Sequence, residues 1–355
     1  MQNYIELLNG SIFHQGQVHG NTYKHEVEEM LNGWAGIYAE IGKTTIEEVF
    51  QLARNMTAES RLLENARKGT PLYVEELEGI ADGSEKDFKL IYAMVENDSF
   101  LYYIMCHNDT IKNFIDALAT GCTTGVQIDG QGNGALFQNQ DYFSPFTPYT
   151  LATKQRIKDT TMITFGYSGV PTVMGCNNHD IAMSVNTISE VIPDGERGYP
   201  QLGVMKECLM LESIDKIIDF IRTHRPAAGT TYGITDARRA VFIEAGVEFF
   251  AFKEGNAMGH ANTCLYGKPD PVNPMEPLAM SDVRGRKAQA LVDGAPVRDA
   301  DIFNLLRGPV VYLTPESTHG TGQTHHSVIY RFEGGKIQYV RYQLSNDTKQ
   351  ATITL

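Results

Sequence analysis

ALATGCTTGVQIDGQGNGALFQNQDYF, residues 117–143, marks the change from a helical to a strand-rich sequence. Before this stretch, apolar residues recur at helical spacing. Within and after it, short alternating or β-branched runs are separated by turn-rich segments such as DGQGNG, residues 129–134. Runs of strand-like residues then recur about every ten residues, with few helices between them. This order of elements predicts an α+β fold in which helices cover antiparallel sheets.

The sequence between residues 22 and 120 is predicted to be mostly helical. One helix is expected over residues 44–69, beginning with a Thr-x-x-Glu capping box that runs from Thr44 to Glu47. A second helical region, a pair of helices, is expected at residues 203–223.

Composition excludes several classes of protein. The chain has 355 residues and a formal net charge of −13, and such a surface repels the phosphate backbone of nucleic acids. No run of 18 apolar residues is present, and the N-terminus lacks the basic and apolar regions of a signal peptide. Five widely spaced cysteines suit a reducing compartment. We therefore expect a cytoplasmic protein without membrane contact; homo-oligomer formation is left open.

The cysteine at the head of the 117–143 stretch has an informative position. If DGQGNG is a symmetric turn, Cys122 lies directly opposite Asp141, whereas a slip of one residue would pair it with Gln140. A carboxylate alone would raise the pKa of the thiol and weaken it as a nucleophile. The pairing is therefore chemically useful only if a cationic group stands between the two side chains.

Cleavage of the Gly121–Cys122 peptide bond would supply that group as a free α-amine. An α-amine has a pKa of about 8, and it can act as the general base for its own thiol. Asp141 would orient it. Gly121 has no side chain to obstruct attack on its carbonyl carbon, and glycine tolerates a strained backbone. The alternative is structural: a turn followed by a small buried hydrophobic residue.

The motifs around Cys122 resemble those of a known family. GCTT (121–124) followed by NQDYF (139–143) resembles the acyl-coenzyme A:6-aminopenicillanic acid acyltransferase family of N-terminal-nucleophile (Ntn) hydrolases, which are related to penicillin V acylases and bile salt hydrolases. Three further segments resemble family motifs in the family's order: YVEELEGIADGS (73–84), CNNHDIAMSVNTIS (176–189) and GHANTCL (259–265). The resemblance implies a four-layer αββα sandwich of two antiparallel sheets. It also implies self-cleavage into segments 1–121 and 122–355, which would remain one folded unit.

The resemblance also assigns roles to individual residues. Cys122 would be both the self-processing residue and the mature nucleophile, and Asp141 would hold its freed α-amine. Asn262 would donate a side-chain N–H to the oxyanion, a task that suits an amide because it does not titrate. Asn186 would help to position the substrate or the amine.

Other polar and aromatic residues near the motif are weaker candidates. Asn139 is a further candidate for a position near Cys122. Tyr142 and Phe143 could line an acyl pocket, and they fit a hydrophobic core equally well. Arg284 and Arg286 open a predicted helix, where a solvated face is the expectation and binding of a substrate carboxylate is the lesser option.

Three histidines define the main rival chemistry. A papain-like site could pair Cys122 with His319, His325 or His326 without any chain cleavage. A metal site is not expected, because adjacent histidines in a strand point to opposite faces and no cysteine or carboxylate completes a ligand set. A second rival is a catalytically silent binding protein with the same fold.

The interpretation adopted is an Ntn enzyme that acts on a small-molecule N-acyl amide through a thioester on Cys122. Hydrolysis is favoured over acyl transfer, because coenzyme A would require a basic phosphate-binding patch that the sequence does not show. No cofactor is expected.

Overall fold

The computed structural model describes residues 3–107, 121–188, 190–267, 280–314, 322–344 and 349–355. Within these ranges, seven α-helices precede the 117–143 stretch and four follow it. None of the helices in these ranges has both the length and the apolar character needed to cross a membrane. The helices are α1 (Ile12–Thr22), α2 (Lys24–Gly42), α3 (Ile46–Glu59), α4 (Leu62–Gly69), α5 (Pro71–Ser84), α6 (Phe88–Val95), α7 (Asn97–His107), α8 (Gln201–Cys208), α9 (Ile214–Thr223), α10 (Ser281–Val292) and α11 (Asp299–Leu306).

The strands of the described ranges form two sheets. They are β1 (Tyr4–Leu7), β2 (Gly121–Ile128), β3 (Gly134–Phe143), β4 (Thr150–Ile157), β5 (Thr160–Tyr167), β6 (Val170–Asn177), β7 (Ala182–Thr187), β8 (Thr230–Thr235), β9 (Ala240–Gly246), β10 (Phe249–Glu254), β11 (Ala257–His260), β12 (Gly322–Glu333), β13 (Lys336–Leu344) and β14 (Ala351–Ile353). The first sheet has the order β1-β4-β5-β6-β7-β8-β9-β10, and the second has the order β11-β2-β3-β12-β13-β14. All neighbours are antiparallel except β1 and β4, which are parallel.

The buried residues form cores that stack the helices and sheets in four layers. One core joins the N-terminal helices with α8 and α9 to the outer face of the eight-stranded sheet. A second core lies between the two sheets and includes Val126 and Phe165. A third joins the outer face of the six-stranded sheet to α10 and α11 through residues such as Phe137 and Phe303. The predicted α+β fold with an αββα order is confirmed.

The helix predicted over residues 44–69 is wrong in two details. The capping box lies one residue later than expected, because Thr45 is the N-cap and pairs with Glu48, and the helix itself begins at Ile46. Ser60 then takes an extended conformation (φ −75°, ψ 150°) and divides the segment into α3 and α4. The helical pair predicted at 203–223 is confirmed as α8 and α9.

Candidate active site

The β2–β3 hairpin positions the Gly-Cys bond, and its loop has five residues rather than the six expected. The Asp129 carboxylate closes the loop by accepting two backbone N–H bonds from within it, at 2.7 and 3.0 Å. Because the loop is one residue shorter than expected, the register of the two strands shifts by one residue. Cys122 pairs with Gln140, and Asp141 pairs with Gly121. The predicted pairing of Cys122 with Asp141 is therefore wrong by one residue.

Two buried side chains hold the backbone of Cys122. Its N–H donates to Asn262 Oδ1 at 2.9 Å, and its carbonyl oxygen accepts from Arg284 Nη1 at 2.5 Å. Arg284 also donates to Asn262 Oδ1 at 2.7 Å and to Thr123 Oγ1 at 3.0 Å. A Cβ on Gly121 would lie 2.8 Å from Arg284 Nη2, and Gly121 does not have a positive φ. Glycine is needed at this position for space rather than for backbone freedom.

Arg284 is the site residue that the sequence analysis missed. Its side chain is 1% exposed, so the expectation of a solvated face is wrong for Arg284, although it holds for Arg286. A signal was present in the spacing, because Arg284 shares one face of α10 with the buried residues Ala288 and Val292 at i+4 and i+8. An arginine on the apolar face of a helix requires buried acceptors, which Cys122 and Asn262 provide.

Asp141 is buried beside this arginine without forming a close ion pair. Its Oδ1 accepts from Thr324 Oγ1 at 2.5 Å, while Oδ2 lies 3.9 Å from Arg284 Nη1 and has no hydrogen-bond partner among the described residues. Burial raises the pKa of Asp141 to about 6, against the opposing effects of Arg284 and Thr324. One carboxylate oxygen is thus free to receive a donor.

The Cys122 thiol is protonated in the intact chain. Burial, and secondly the charge of Asp141, raise its pKa to about 12. The backbone N–H of Asp141, the charge of Arg284 and the side chain of Gln138 act in the opposite direction but do not prevail. This sulfur therefore acts as a nucleophile only when its proton is transferred to another group.

A buried glutamate fixes the loop that carries Asn262. Glu244 accepts from His260 Nε2 at 2.9 Å and from three consecutive backbone N–H groups, those of residues 265–267, at 2.6 to 2.9 Å. Burial alone would raise the pKa of Glu244, but the hydrogen bonds from His260 and the Leu265 backbone outweigh it and hold the pKa below its usual range. The loop that begins at Asn262 is thereby tied to β9.

The other two predicted asparagines are held by the scaffold. Asn186 accepts from Thr124 Oγ1 at 2.8 Å and donates to the Ala261 carbonyl at 2.8 Å, so it links β2 to the residue before Asn262. Asn139 donates to the Leu306 carbonyl at 2.6 Å, on the α11 side of the sheet. Neither asparagine lines the cavity at Cys122.

A cavity of about 60 Å³ adjoins the Gly121–Cys122 bond. Cys122, Asp141, Tyr142 and Asn262 are among the residues that line it. Phe143 does not line it; this side chain is 1% exposed and packs in the helical core. Tyr142 therefore contacts both the cavity and the helical core, whereas Phe143, whose ring lies 4.8 Å from that of Tyr142, belongs to the core alone.

The described histidines of the rival site do not line the cavity, although each contacts a residue that does. His325 contacts Tyr167 OH through Nδ1 at 2.8 Å, and His326 contacts Gln140 Oε1 through Nδ1 at 2.9 Å. A β-bulge at His325 brings both rings against Tyr167, so the expectation of opposite faces is wrong. Burial lowers the pKa of both rings, that of His326 to about 3. His319 lies outside the described residues.

Comparison with known proteins covers the part of the chain that carries Asp141, Asn186 and Asn262, and the family match begins after Cys122. Residues 129–345, more than half of the chain, match the sequence model of the family described as acyl-coenzyme A:6-aminopenicillanic acid acyl-transferase. A β-alanyl-dopamine/carcinine hydrolase from Drosophila melanogaster is 23% identical over 219 residues, which is 58% of this chain and 54% of that protein. The chain thus spans about half the length of this curated relative.

Two solved structures share part of the arrangement. A mutant of conjugated bile acid hydrolase from Clostridium perfringens has a TM-score of 0.45 at 11% identity, covering 65% of this chain and 92% of that one. Penicillin V acylase from Agrobacterium tumefaciens has a TM-score of 0.43 at 13% identity, covering 65% of this chain and 85% of that one.

Proposed function

The chain belongs to the acyl-coenzyme A:6-aminopenicillanic acid acyltransferase family, and on this premise we propose that it is a self-cleaving amide hydrolase. In the proposal, the bond between Gly121 and Cys122 is cut, and Cys122 then acts as the N-terminal nucleophile. The substrate is a small, linear, non-peptide N-acyl amide, and the reaction passes through a thioester. A relative named for hydrolysis of β-alanyl-dopamine and carcinine supports hydrolysis over acyl transfer.

The contacts of the Cys122 backbone carry the proposal. Asn262 holds its N–H and Arg284 holds its carbonyl, while Asp141 Oδ2, which is 3.9 Å from the same arginine, has no hydrogen-bond partner among the described residues. A structural cysteine has no need of charged groups around its backbone. An α-amine formed at Cys122 would supply the donor that Asp141 lacks, and a cation there would lower the pKa of that carboxyl.

Self-cleavage follows as two balanced steps. The Cys122 sulfur adds to the Gly121 carbonyl carbon, the C–N bond breaks, and the thiol proton ends on the departing nitrogen. The product is a thioester between Gly121 and the Cys122 side chain, with a free α-amine. Water then hydrolyses the thioester, which leaves a carboxylate on Gly121 and restores the thiol.

Turnover uses the same atoms. The α-amine takes the thiol proton, and the thiolate attacks the acyl carbonyl of the substrate. Asn262 Nδ2 donates one hydrogen to the Thr187 carbonyl at 2.9 Å, and the second N–H of this amide is proposed to bind the oxyanion together with a backbone N–H. The amine then gives its proton to the leaving nitrogen, and water resolves the thioester.

The two products of cleavage are proposed to remain one folded unit. Segment 1–121 contributes β1, which pairs with β4 of segment 122–355, and it supplies most of the helical layer. The buried ion pair between Glu76 and Lys206, 2.8 Å apart, also joins the two segments. Separation would expose this layer to water, a cost that favours a two-chain enzyme.

The test is release of amine from a panel of N-acyl amides and penicillins, with mass spectrometry of the protein during turnover. The wild-type protein is expected to show an acyl adduct on Cys122, and Cys122→Ala is expected to show neither adduct nor turnover. Cys106→Ala is the matched control, because Cys106 is an exposed free thiol that does not line the Cys122 cavity. Turnover that survives in Cys122→Ala would refute the proposal.

A further inference from the structure

A second carboxylate, that of Asp98, lines the cavity that contains Cys122. Asp98 is the second residue of α7 and belongs to segment 1–121. Its side chain is partly accessible, whereas Glu96 and Asn97 before it are each 4% exposed. Asp98 and Asn97 both line the cavity, and Asp98 is the more accessible of the two.

The groups that hold Asp98 are all neutral. Its Oδ2 accepts from Thr187 Oγ1 at 3.0 Å and from Gln201 Nε2 at 3.0 Å. The Gln201 amide is oriented by Thr230, whose hydroxyl donates to Gln201 Oε1 at 2.9 Å. These donors fix the position of the carboxylate without neutralising its charge.

No cation compensates this charge within the described ranges. The causes that shift the pKa of Asp98 are burial, which raises it, and hydrogen bonds from Thr187, Gln201 and Asn97; no Lys, Arg or His of these ranges is among them. Glu96 lies nearby and is hydrogen-bonded to Tyr73 OH at 2.5 Å, but burial raises its pKa to about 8, so its carboxyl group is protonated near neutral pH and Asp98 is left as the carboxylate at issue. Buried carboxylates are normally paired with a cation or a metal ion, so this part of the cavity favours a positively charged occupant.

Asp98 is also connected to Cys122 by hydrogen bonds through two residues, Thr187 and Asn262. The Thr187 hydroxyl donates to Asp98, while the Thr187 carbonyl accepts from Asn262 Nδ2 at 2.9 Å. Asn262 in turn accepts from the Cys122 N–H. Asp98, Thr187, Asn262 and Cys122 all line the same cavity of about 60 Å³, so a group bound to Asp98 shares that cavity with a carbonyl held at Cys122.

The size and walls of the cavity limit what can occupy it. Much of the remaining lining is apolar, including Val170, Val173 and Leu202. The cavity volume of about 60 Å³ exceeds the roughly 10–15 Å³ that one water requires, but it cannot hold a large polar group. An ammonium group on a short aliphatic arm fits both the volume and the lining.

We propose that Asp98 binds a substrate ammonium group, so that the preferred substrates are amides whose acyl part carries a primary amine a few carbons from the carbonyl. This inference rests on the proposed function, because it assumes that the acyl carbonyl is attacked by Cys122. The site is then shared by the two segments: one supplies the nucleophile and the other the specificity.

The test compares two isosteric substrates, β-alanyl-p-nitroanilide and butanoyl-p-nitroanilide, which differ only by an ammonium group in place of a methyl group. Wild-type kcat/KM is expected to favour the β-alanyl compound by about tenfold or more, the contribution of a hydrogen bond to a charged group. Asp98→Asn is expected to remove this preference, and Asp98→Glu to keep part of it. Glu40→Gln, an equal charge change at an exposed position on α2, is the control and should keep the wild-type ratio.

The outcomes separate the two proposals. Equal wild-type turnover of the two compounds, or an unchanged ratio in Asp98→Asn, would overturn the role of Asp98 and leave the hydrolase proposal intact. Preference for an ammonium on the leaving amine, tested with a butanoyl amide of ethylenediamine, would overturn the acyl assignment. Absence of both turnover and acyl adduct in wild-type protein would refute the hydrolase itself. The wild-type ratio decides the question even if an Asp98 variant fails to fold.

Discussion

Two pairs of a buried cation and a buried carboxylate among the described residues, Lys206–Glu76 and Arg284–Asp141, are built differently. In the helical layer, Lys206 Nζ lies 2.8 Å from Glu76 Oε2 and also donates to Gln155 and Thr172. At the β2 start, Arg284 and Asp141 stand 3.9 Å apart. Asp141 Oδ2 and Arg284 Nε have no hydrogen-bond partner among the described residues. The close pair of Lys206 and Glu76 stabilises the fold. The separation of Arg284 from Asp141 leaves space beside Cys122 for the atoms that form and break bonds.

The largest expected effect is on the helical-layer pair. Lys206→Met should lower the free energy of unfolding by about 3–5 kcal/mol, because Glu76 would remain buried without a cation. Urea unfolding measures this loss. The fraction of chains cut at Gly121–Cys122 should not change in protein that folds.

The control for Lys206→Met is the double variant that also carries Glu76→Gln. It should recover most of the lost stability, since no buried charge is then left unpaired. A loss of unfolding free energy below about 1 kcal/mol in Lys206→Met would mean that the pair contributes no more than an exposed salt bridge. That result would contradict the contrast drawn between this pair and the Arg284–Asp141 pair.

The second effect concerns the active-site cation. Arg284→Met should slow self-cleavage and amide hydrolysis by about 100- to 1,000-fold, because the Cys122 carbonyl and Asn262 lose a charged donor. Time courses of fragment formation and of amine release measure it. Arg286→Met, on the exposed face of the same helix, should behave as wild type. Equal effects of the two substitutions would contradict the assignment of Arg284 to the site.

The third effect is a pH dependence of stability, measured in the Cys122→Ala background where the chain stays intact. The folded-state pKa of Asp141 is raised to about 6, and an unfolded aspartate has a pKa of about 3.9. Between these values the folded protein binds a proton that the unfolded chain releases. Stability should therefore fall by about 2 kcal/mol as the pH rises through this window.

The same titration in Cys122→Ala with Asp141→Asn isolates that contribution. This double variant should lack the fall between about pH 4 and pH 6, although loss of the carboxylate leaves Arg284 unpaired and shifts stability by a constant amount. Parallel pH profiles of the two proteins would show that Asp141 does not carry the raised pKa.

The smallest expected effect is at Gly121. In Gly121→Ala, the added Cβ would lie 2.8 Å from Arg284 Nη2 and 3.2 Å from Asn262 Oδ1, so both side chains must move. Self-cleavage should slow by about tenfold, the consequence of a small displacement of positioning groups. Quenched time courses followed by mass spectrometry measure the rate. A rate equal to that of wild type would show that the position of Arg284 does not control cleavage.

Local sequence patterns predicted the elements of the fold better than they predicted the site. The spacing of apolar residues changes at residue 121, from helical spacing to short alternating or β-branched runs. This change depends on local sequence and not on distant contacts. The register of the hairpin could not be settled, because one residue more or less in a glycine-rich loop moves every pair. Asp141 was therefore found as a candidate but placed one position away from its true pairing.

The contacts that build the site join residues far apart in the chain. Asn262 is 140 residues from Cys122, and Arg284 is 162 residues from it. The family resemblance suggested Asn262, but nothing in the local pattern brought Arg284 to the same atoms. Its place on the apolar face of α10 was the available signal, and it becomes informative only when the partner of that face is known.

The central claim is that Cys122 becomes an N-terminal residue, and intact mass under denaturing conditions tests it most directly. Two polypeptides are expected, residues 1–121 and 122–355, with the second beginning Cys-Thr-Thr. Cys122→Ala should give one chain of 355 residues. A wild-type protein that remains a single chain, yet hydrolyses amides through Cys122, would contradict the claim.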